Sequence, residues 1–222
     1  MGHTSNALES VTEIFKAICK LDGKADGLQF DEALQAEYIK EDADYAGVRV
    51  TAMAYLGKIK FSIQVDIGFA DVITPAPELL NYPTLLGHPA PQLYGYPRET
   101  TLAEKIQAMI VLEMANSRMK DFYDVWQLLD TFEFEGKVVQ VAIEKTFANR
   151  NTALPQEDHV IFSDAFLDGK IVQWKAFIRK LKIETSIEMS EILSIIKAFL
   201  VPLLNASQQK IVFDKRWDKT WK

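Results

Sequence analysis

The sequence predicts an α+β protein in which a small mixed sheet is followed by a helical bundle. Apolar and polar residues alternate over residues 46–69, which indicates β-strands because successive side chains point to opposite faces of a strand. From Thr101 onward the apolar residues recur at helical spacing instead. Residues 74–98 hold six of the eight prolines, which predicts a connector without regular structure. We therefore expect one domain over residues 1–97 and a helical domain over residues 98–222.

The composition is that of an ordinary folded protein. Hydrophobic residues make up 48% of the 222 residues and charged residues 25%, so the chain can bury a sizeable core. Lys and Arg number 25 against 31 Asp and Glu, a formal net charge of −6. That balance excludes a positive field over the whole protein that would attract nucleic acid, while a local basic groove stays open.

The chain carries none of the common signals for export or membrane insertion. No apolar run approaches the roughly 20 residues of a membrane-spanning helix, and residues 1–10 lack the pattern of a secretory signal. The one cysteine, Cys19, excludes an internal disulfide and a zinc cluster of several thiolates. We expect a soluble cytoplasmic protein with no membrane partner.

The first half of the chain predicts one helix and several strands. A helix is expected over about residues 7–21 and a short extended piece at 28–30, whereas 35–40 is ambiguous between strand and helix. Residues 46–55 and 58–69 predict an antiparallel hairpin around Leu56-Gly57. One face of the first strand is apolar, and so is one face of the second; these residues are Val48, Val50, Ala52 and Ala54, and Ile59, Phe61, Ile63, Val65 and Ile67.

The second half predicts five helices. The first runs from Thr101 to about Met114, with Thr101 and Glu104 in the spacing of a capping box. The others are expected at about residues 120–130, 136–148, 164–181 and 189–204.

Asp66 is the first candidate for chemistry. It lies on the polar face of a strand whose other face is apolar, and a carboxylate held by a rigid sheet is a good ligand for a divalent metal. The alternative is an ordinary exposed polar residue on a half-solvated strand.

The second candidate is the segment from Lys105 to Asp124. Lys105 lies at the edge of an apolar stripe, from which its ammonium could reach towards Asp66. Asp121 and Asp124 are three residues apart and are therefore neighbours on one helix surface. A structural explanation is equally complete, because carboxylates stabilise a first helical turn and a lysine can extend its stem along apolar surface.

The C-terminal segment mixes aromatic and basic residues. Phe213, Trp217 and Trp221 could stack on a nucleic acid beside the neighbouring lysines, or they could dock on the helical bundle. His3, His88 and His159 lie far apart without metal-ligand spacing and are expected in loops. The chain has no Walker A, GxGxxG, GxSxG or HExxH motif.

Three segments in order resemble one known family. The strand IQVDIGF, the helix start AEK and the segment RMKDFYD are similar to the AbiEii/AbiGii toxins, over about residues 6–150. The resemblance implies a nucleotidyltransferase domain like that of DNA polymerase β, followed by a helical domain. It also implies a bacterial toxin of a type IV toxin–antitoxin or phage-defence system, which moves a nucleotide from an NTP to RNA, including tRNA acceptor ends.

The same resemblance implies roles for single residues. Asp66 resembles a metal-site carboxylate that would bind Mg²⁺, and Lys105 resembles the lysine that contacts the NTP phosphates. Asp121 resembles the essential aspartate of the second motif. Arg118 and Asp124 are similar to family positions that flank this aspartate, and Arg118 is implied to bind the nucleotide. A cognate antitoxin and an RNA acceptor are the implied partners.

The chain departs from the family at its start. The family's Gly-Gly/Ser loop and DxD pair precede the first helix, and residues 1–7 of this chain contain neither. We therefore expect an N-terminally truncated nucleotidyltransferase-like domain and a weak or inactive catalyst, because the members of such a site act as a unit. The alternative is a non-catalytic interaction protein that binds an antitoxin or an RNA through its helical half.

Overall fold

The computed structural model describes residues 8–21, 27–39, 47–69, 71–182 and 187–222. The chain divides into two compact units, residues 1–71 and residues 72–222. The first unit is a small sheet with one helix, and the second is mainly helical, so the predicted α+β class is confirmed. The predicted domains, divided at residue 97, stay a prediction.

In the first unit, a four-stranded antiparallel sheet packs against one helix. Its elements are α1 (Leu8–Cys19), β1 (Leu28–Phe30), β2 (Gln35–Ile39), β3 (Gly47–Leu56) and β4 (Ile59–Ile67). β3 is central: β4 pairs with one of its edges along its whole length, and β1 and β2 pair with successive parts of the other edge. The segment that was ambiguous from sequence is thus a strand, because it pairs with β3.

The β3–β4 hairpin confirms the predicted alternation. Its two-residue loop is Gly57-Lys58, one residue later than predicted, and Gly57 takes a φ of +59°, which glycine adopts without strain. Val48 and Val50 on β3 form a buried cluster with Val11 of α1. The apolar residues of β4 are more exposed, since α1 packs against β2 and β3.

The proline-rich connector contains a second hairpin, so the prediction of no regular structure there is wrong. β5 (Glu78–Asn81) and β6 (Gln92–Gly95) pair in antiparallel register. All six prolines lie outside these two strands. Because proline disrupts only the ladder position that it occupies, strands can form between prolines.

The second unit is built on five helices. They are α2 (Arg98–Leu112), α3 (Met119–Thr131), α4 (Gly136–Asn149), α5 (Asp164–Leu181) and α6 (Met189–Gln208), with 3₁₀ turns at Glu113–Ala115 and Val160–Phe162 and a short pair of strands, β7 (Phe134–Glu135) and β8 (Arg216–Trp217). Each of the five predicted helices is present, and α5 has the predicted bounds.

The predicted capping box at the start of α2 does not form. The helix begins three residues before Thr101, with Pro97 at the N-cap and no side-chain cap. The Thr101 hydroxyl donates to the Pro97 carbonyl at 3.4 Å, and Glu104 lies 3.8 Å from Arg150 in an ion pair. A helix can begin directly after proline because no backbone N–H is lost there.

The core of the second unit is centred on α6. Ile196, Phe199 and Leu200 of this helix are fully buried among residues of α2, α3, α4 and α5. By length and composition α6 is long and apolar enough to cross a membrane, yet half of its apolar window is buried inside the unit. Its buried residues make it the core helix of the second unit.

The C-terminal tryptophans dock on the helical bundle, which decides between the two alternatives for that segment. The indole of Trp217 donates to the Leu129 carbonyl and that of Trp221 to the Phe199 carbonyl, both at 2.9 Å. The Phe199 ring contacts both indoles. These rings are used for packing and are not free to stack on bases.

Truncating Trp217 is expected to destabilise the second unit. Trp217 is 1% exposed, and Trp217→Ala removes its packing and its hydrogen bond, so the free energy of unfolding should fall by about 3–5 kcal/mol. The matched control is Val212→Ala in the same segment, where the side chain is 73% exposed and the change should stay within about 0.5 kcal/mol. Urea denaturation measures both, and equal losses would contradict the docking role of Trp217.

Candidate active site

One lysine joins two helices through two carboxylates. The ammonium of Lys105, on α2, donates to Asp121 Oδ1 at 2.9 Å and to Asp124 Oδ2 at 2.7 Å, both on α3. The side chains are partly buried, with exposed fractions of 21% for Lys105, 16% for Asp121 and 22% for Asp124. We call these three residues the lysine triad.

Helix periodicity and helix packing together explain how the three side chains of the triad meet. Asp121 and Asp124 share one surface of α3, while Phe122, Val125 and Leu129 on its other surface are buried in the core. On α2, Lys105 stands next to buried Ile106, so the apolar contact that docks α2 also fixes the base of the lysine. Packing of the two helices thus brings the ammonium to the carboxylates.

The start of α3 is fixed by side chains that the sequence analysis missed. Asn116 is fully buried, and its Oδ1 accepts a hydrogen bond from the backbone N–H of Arg118 at 2.7 Å. Lys170 of α5 is also buried and donates to the Met114 carbonyl at 2.7 Å. The sequence signal for the Asn116 contact was an asparagine two residues before a helical N-cap. No sequence signal points to the Lys170 contact, because it joins segments that are far apart in the chain.

Lys105 and Asp124 hold their charges in this contact. Burial alone would lower the pKa of Lys105, but its hydrogen bonds to Asp124 and Asp121 raise that pKa above the usual value. Burial alone would likewise raise the pKa of Asp124, but the hydrogen bonds from Lys105 and Lys120 lower it. Lys120 approaches Asp124 to 2.5 Å from the exposed side. The site therefore presents a fixed, protonated ammonium at neutral pH.

Arg118 supplies an uncommitted cation beside the triad. It is the N-cap residue of α3, its side chain is exposed, and it forms no ion pair with any residue in the described part of the chain. The first turn of α3 adds backbone N–H groups and the positive end of the helix dipole. The neighbourhood of Arg118 is suited to an anion.

Asp66 lies in the first unit and already has a cationic partner. Arg49, directly opposite on β3, donates Nε to Oδ1 at 2.8 Å and Nη2 to Oδ2 at 2.9 Å. The hydrogen bond from Arg49 lowers the pKa of Asp66 below its usual value. The Asp66 side chain is 45% exposed, which agrees with a polar residue on a half-solvated strand and keeps one side of the carboxylate accessible.

The described residues do not by themselves make a Mg²⁺ site. Among residues 8–21, 27–39, 47–69, 71–182 and 187–222, no group of three histidine, cysteine, aspartate or glutamate side chains is arranged to hold a metal. Asp66 is occupied by Arg49, and Asp121 and Asp124 are occupied by Lys105. Mg²⁺ requires six oxygen ligands, so Asp66 could contribute only one part of its shell.

The structure brings together three of the predicted residues. Lys105, Asp121 and Asp124 form the triad, with Arg118 on the same turn of α3, whereas Asp66 belongs to the other unit. Convergence of Asp66 with the triad around one pocket stays a prediction. The sequence analysis missed Arg49 as the partner of Asp66, although the register of a two-residue hairpin loop places these two residues opposite each other.

These features define a class of protein: a small antiparallel sheet that carries an aspartate, followed by a helical unit with a lysine–aspartate site. The chain matches the family model described as nucleotidyl transferase AbiEii toxin, type IV TA system, over residues 2–198. It belongs to this family of nucleotidyltransferase-like toxins, which confirms the resemblance seen in the sequence. No curated protein and no solved structure matches the chain.

Removing the lysine of the triad is expected to destabilise the fold. Lys105→Met keeps the length of the side chain but leaves the partly buried Asp121 without its cation and Asp124 with Lys120 alone, so the free energy of unfolding should fall by about 1–3 kcal/mol. Lys105→Met/Asp121→Asn should recover part of the loss, because the carboxylate that lost its cation is no longer charged. The control is Lys145→Met on the exposed surface of α4. A loss at Lys145 equal to that at Lys105 would contradict the role of the triad.

The ion pair also predicts a pH dependence. The folded pKa of Asp124 is lowered, so its contribution to stability is complete above its unfolded pKa near 3.8 and is lost as the pH falls through the folded pKa. The stability difference between wild type and Asp124→Asn should therefore be constant from pH 7 to about pH 5 and should shrink below pH 3.8. Urea titrations at each pH measure it, and a difference that grows at low pH would reverse the assigned sign.

Proposed function

We propose that the lysine triad is part of a nucleotidyl-transfer site, where an RNA hydroxyl takes a nucleotide from an NTP and pyrophosphate leaves. The observation that carries the proposal is the Lys105 ammonium, held by carboxylates from the next helix at 2.7 and 2.9 Å. Membership of the AbiEii family supports the reaction class.

Lys105 is assigned to the NTP phosphates. An ammonium has three N–H donors, and the two aspartates use two of them, which leaves the third for a phosphate oxygen. Because the triad keeps Lys105 protonated, its charge offsets negative charge on the phosphates without a proton transfer. The carboxylates fix the direction of the ammonium, so little order is lost when a nucleotide binds.

Arg118 and Asp121 are assigned to the two sides of the nucleotide. The exposed guanidinium of Arg118, next to the N-terminus of α3, can bind a phosphate through two hydrogen bonds. Asp121 orients Lys105 and, through it, the reacting phosphate. Asp124 has a supporting role, since it holds both Lys105 and Lys120.

Asp66 is assigned to cation binding, as the family resemblance implies. A metal in nucleotidyl transfer neutralises triphosphate charge and aligns the acceptor hydroxyl. A cation bound there would compete with Arg49, which already donates to both oxygens of the carboxylate. The partners that we propose are a cognate antitoxin and an RNA such as a tRNA acceptor end, in the cytoplasm.

Nucleotide binding by the purified chain tests the proposal first. Titrations with each of the four NTPs, with and without Mg²⁺, should show saturable binding. Lys105→Ala should weaken it at least tenfold, because a hydrogen bond from a charged group contributes about 1.5–3 kcal/mol. Lys145→Ala, the same change on the surface of α4, should leave the affinity unchanged. The fold of each variant is checked by circular dichroism.

Transfer of labelled nucleotide to an RNA pool is the second test. Asp121→Asn should lower the rate more than it weakens NTP binding, because its role is orientation, and Asp66→Asn should lower the response to Mg²⁺. Wild-type chain that binds no NTP under any condition would refute the proposal. If it then bound an antitoxin or RNA, the non-catalytic interaction protein would be the correct interpretation.

A further inference from the structure

The outer edge of β4 is an open strand edge. In the described part of the chain β4 pairs only with β3. The two-residue loop makes Leu56 and Ile59 a hydrogen-bonded pair, so every second residue from Ile59 directs its backbone groups towards β3. The residues between them direct their backbone N–H and C=O groups to the open edge; these are Lys60, Ser62, Gln64 and Asp66.

The same strand exposes an apolar face. Ile59 is 63% exposed, Val65 37% and Phe61 36%, and all three lie on one side of the sheet. Soluble proteins usually protect a strand of this kind with charges, bulges, prolines or a covering element. β4 is nine residues long, contains no proline and keeps regular register with β3 throughout. It is thus suited to pairing with another strand.

We propose that β4 pairs antiparallel with β4 of a second copy of this chain, with the two-fold axis at Ile63. Ile63 is the middle residue of the strand, so this register pairs all nine residues. It places Lys60 opposite Asp66 of the second copy, and Ser62 opposite Gln64. These are the residues whose backbone groups face the open edge, so the ladder can form with its normal hydrogen bonds.

Charge favours a second copy in this register over other occupants. Lys60 is the one basic residue of β4 and Asp66 the one acidic residue, and they lie at equal distances from Ile63. The two-fold axis therefore creates two cross-strand ion pairs. A shift of the axis by one residue in either direction preserves the hydrogen-bond phase but removes both pairs.

The apolar face is complementary in the same way. Phe61 meets Val65 of the second copy, and Ile59 meets Ile67, each as a direct cross-strand neighbour. Ile67 of each copy packs against the buried cluster beneath α1. Ile59, the most exposed apolar residue of β4, would therefore contact the edge of the second copy's core. The inference concerns the first unit and does not rest on the proposed nucleotidyl transfer.

Sedimentation and light scattering of the full chain over a range of concentrations test the dimer. Wild type should approach twice the chain mass as concentration rises. Lys60→Glu should raise the dissociation constant at least about tenfold, because it replaces two attractive pairs with two repulsive ones. Lys58→Glu makes the same charge change in the hairpin loop, outside the paired residues, and should have little effect. Gln64→Pro removes an N–H at the open edge and should also abolish the dimer.

Cross-linking tests the register itself. In a Cys19→Ser background, Ile63→Cys should form an intermolecular disulfide on mild oxidation, because residue 63 faces its own copy across the axis. Lys60→Cys is the control, since its two copies would lie about 20 Å apart at about 3.3 Å per residue. Circular dichroism checks that each variant folds. A wild-type chain that stays monomeric, a dimer insensitive to Lys60→Glu and Gln64→Pro, or equal cross-linking at positions 60 and 63 would each overturn the proposal.

Discussion

The second unit depends on a charge that helix packing moves away from water. Lys105 and its two aspartates are only about one fifth exposed, and such groups are costly to desolvate unless they are paired. Pairing them fixes the distance between α2 and α3 at a point where the apolar core ends. The same pairing leaves the Lys105 ammonium charged, oriented and with one N–H donor unused. The contact that stabilises the packing of α2 on α3 is therefore also the contact that orients the Lys105 ammonium.

Helix periodicity explains why two of the three triad residues could be placed together from the sequence. The spacing of Asp121 and Asp124 put both carboxylates on one surface of α3, and the structure confirms it. The cation between them could not be deduced from periodicity, because the position of Lys105 depends on how α2 packs on α3. The reach of Lys105 towards Asp66 stays a prediction. From the sequence, only the family resemblance placed Lys105 and Asp121 in one site.

Local sequence signals were less reliable where tertiary contacts compete with them. Thr101 and Glu104 have the spacing of a capping box, but the chain after Pro97 is already helical, and Glu104 pairs with Arg150 of the neighbouring segment. The prolines of residues 74–98 predict a segment without strands, but β5 and β6 form between these prolines. The hairpin of β3 and β4 shows the opposite case. Its loop length fixes the register, and the register alone places Arg49 opposite Asp66.

Asp66 takes part in both the proposed nucleotide transfer and the proposed dimer. The carboxylate already has one cation, Arg49, and both proposals bring it a further positive charge: a metal in nucleotide transfer, or Lys60 of a second copy in the strand-paired dimer. A single carboxylate that is half exposed cannot hold all three equally well. By linkage, any cation that binds Asp66 and displaces a lysine from it weakens the dimer, and the dimer weakens cation binding by the same factor. Self-association through β4 would thus oppose the chemistry assigned to Asp66, whereas the triad, on separate helices of the other unit, supplies none of the residues that pair in the dimer.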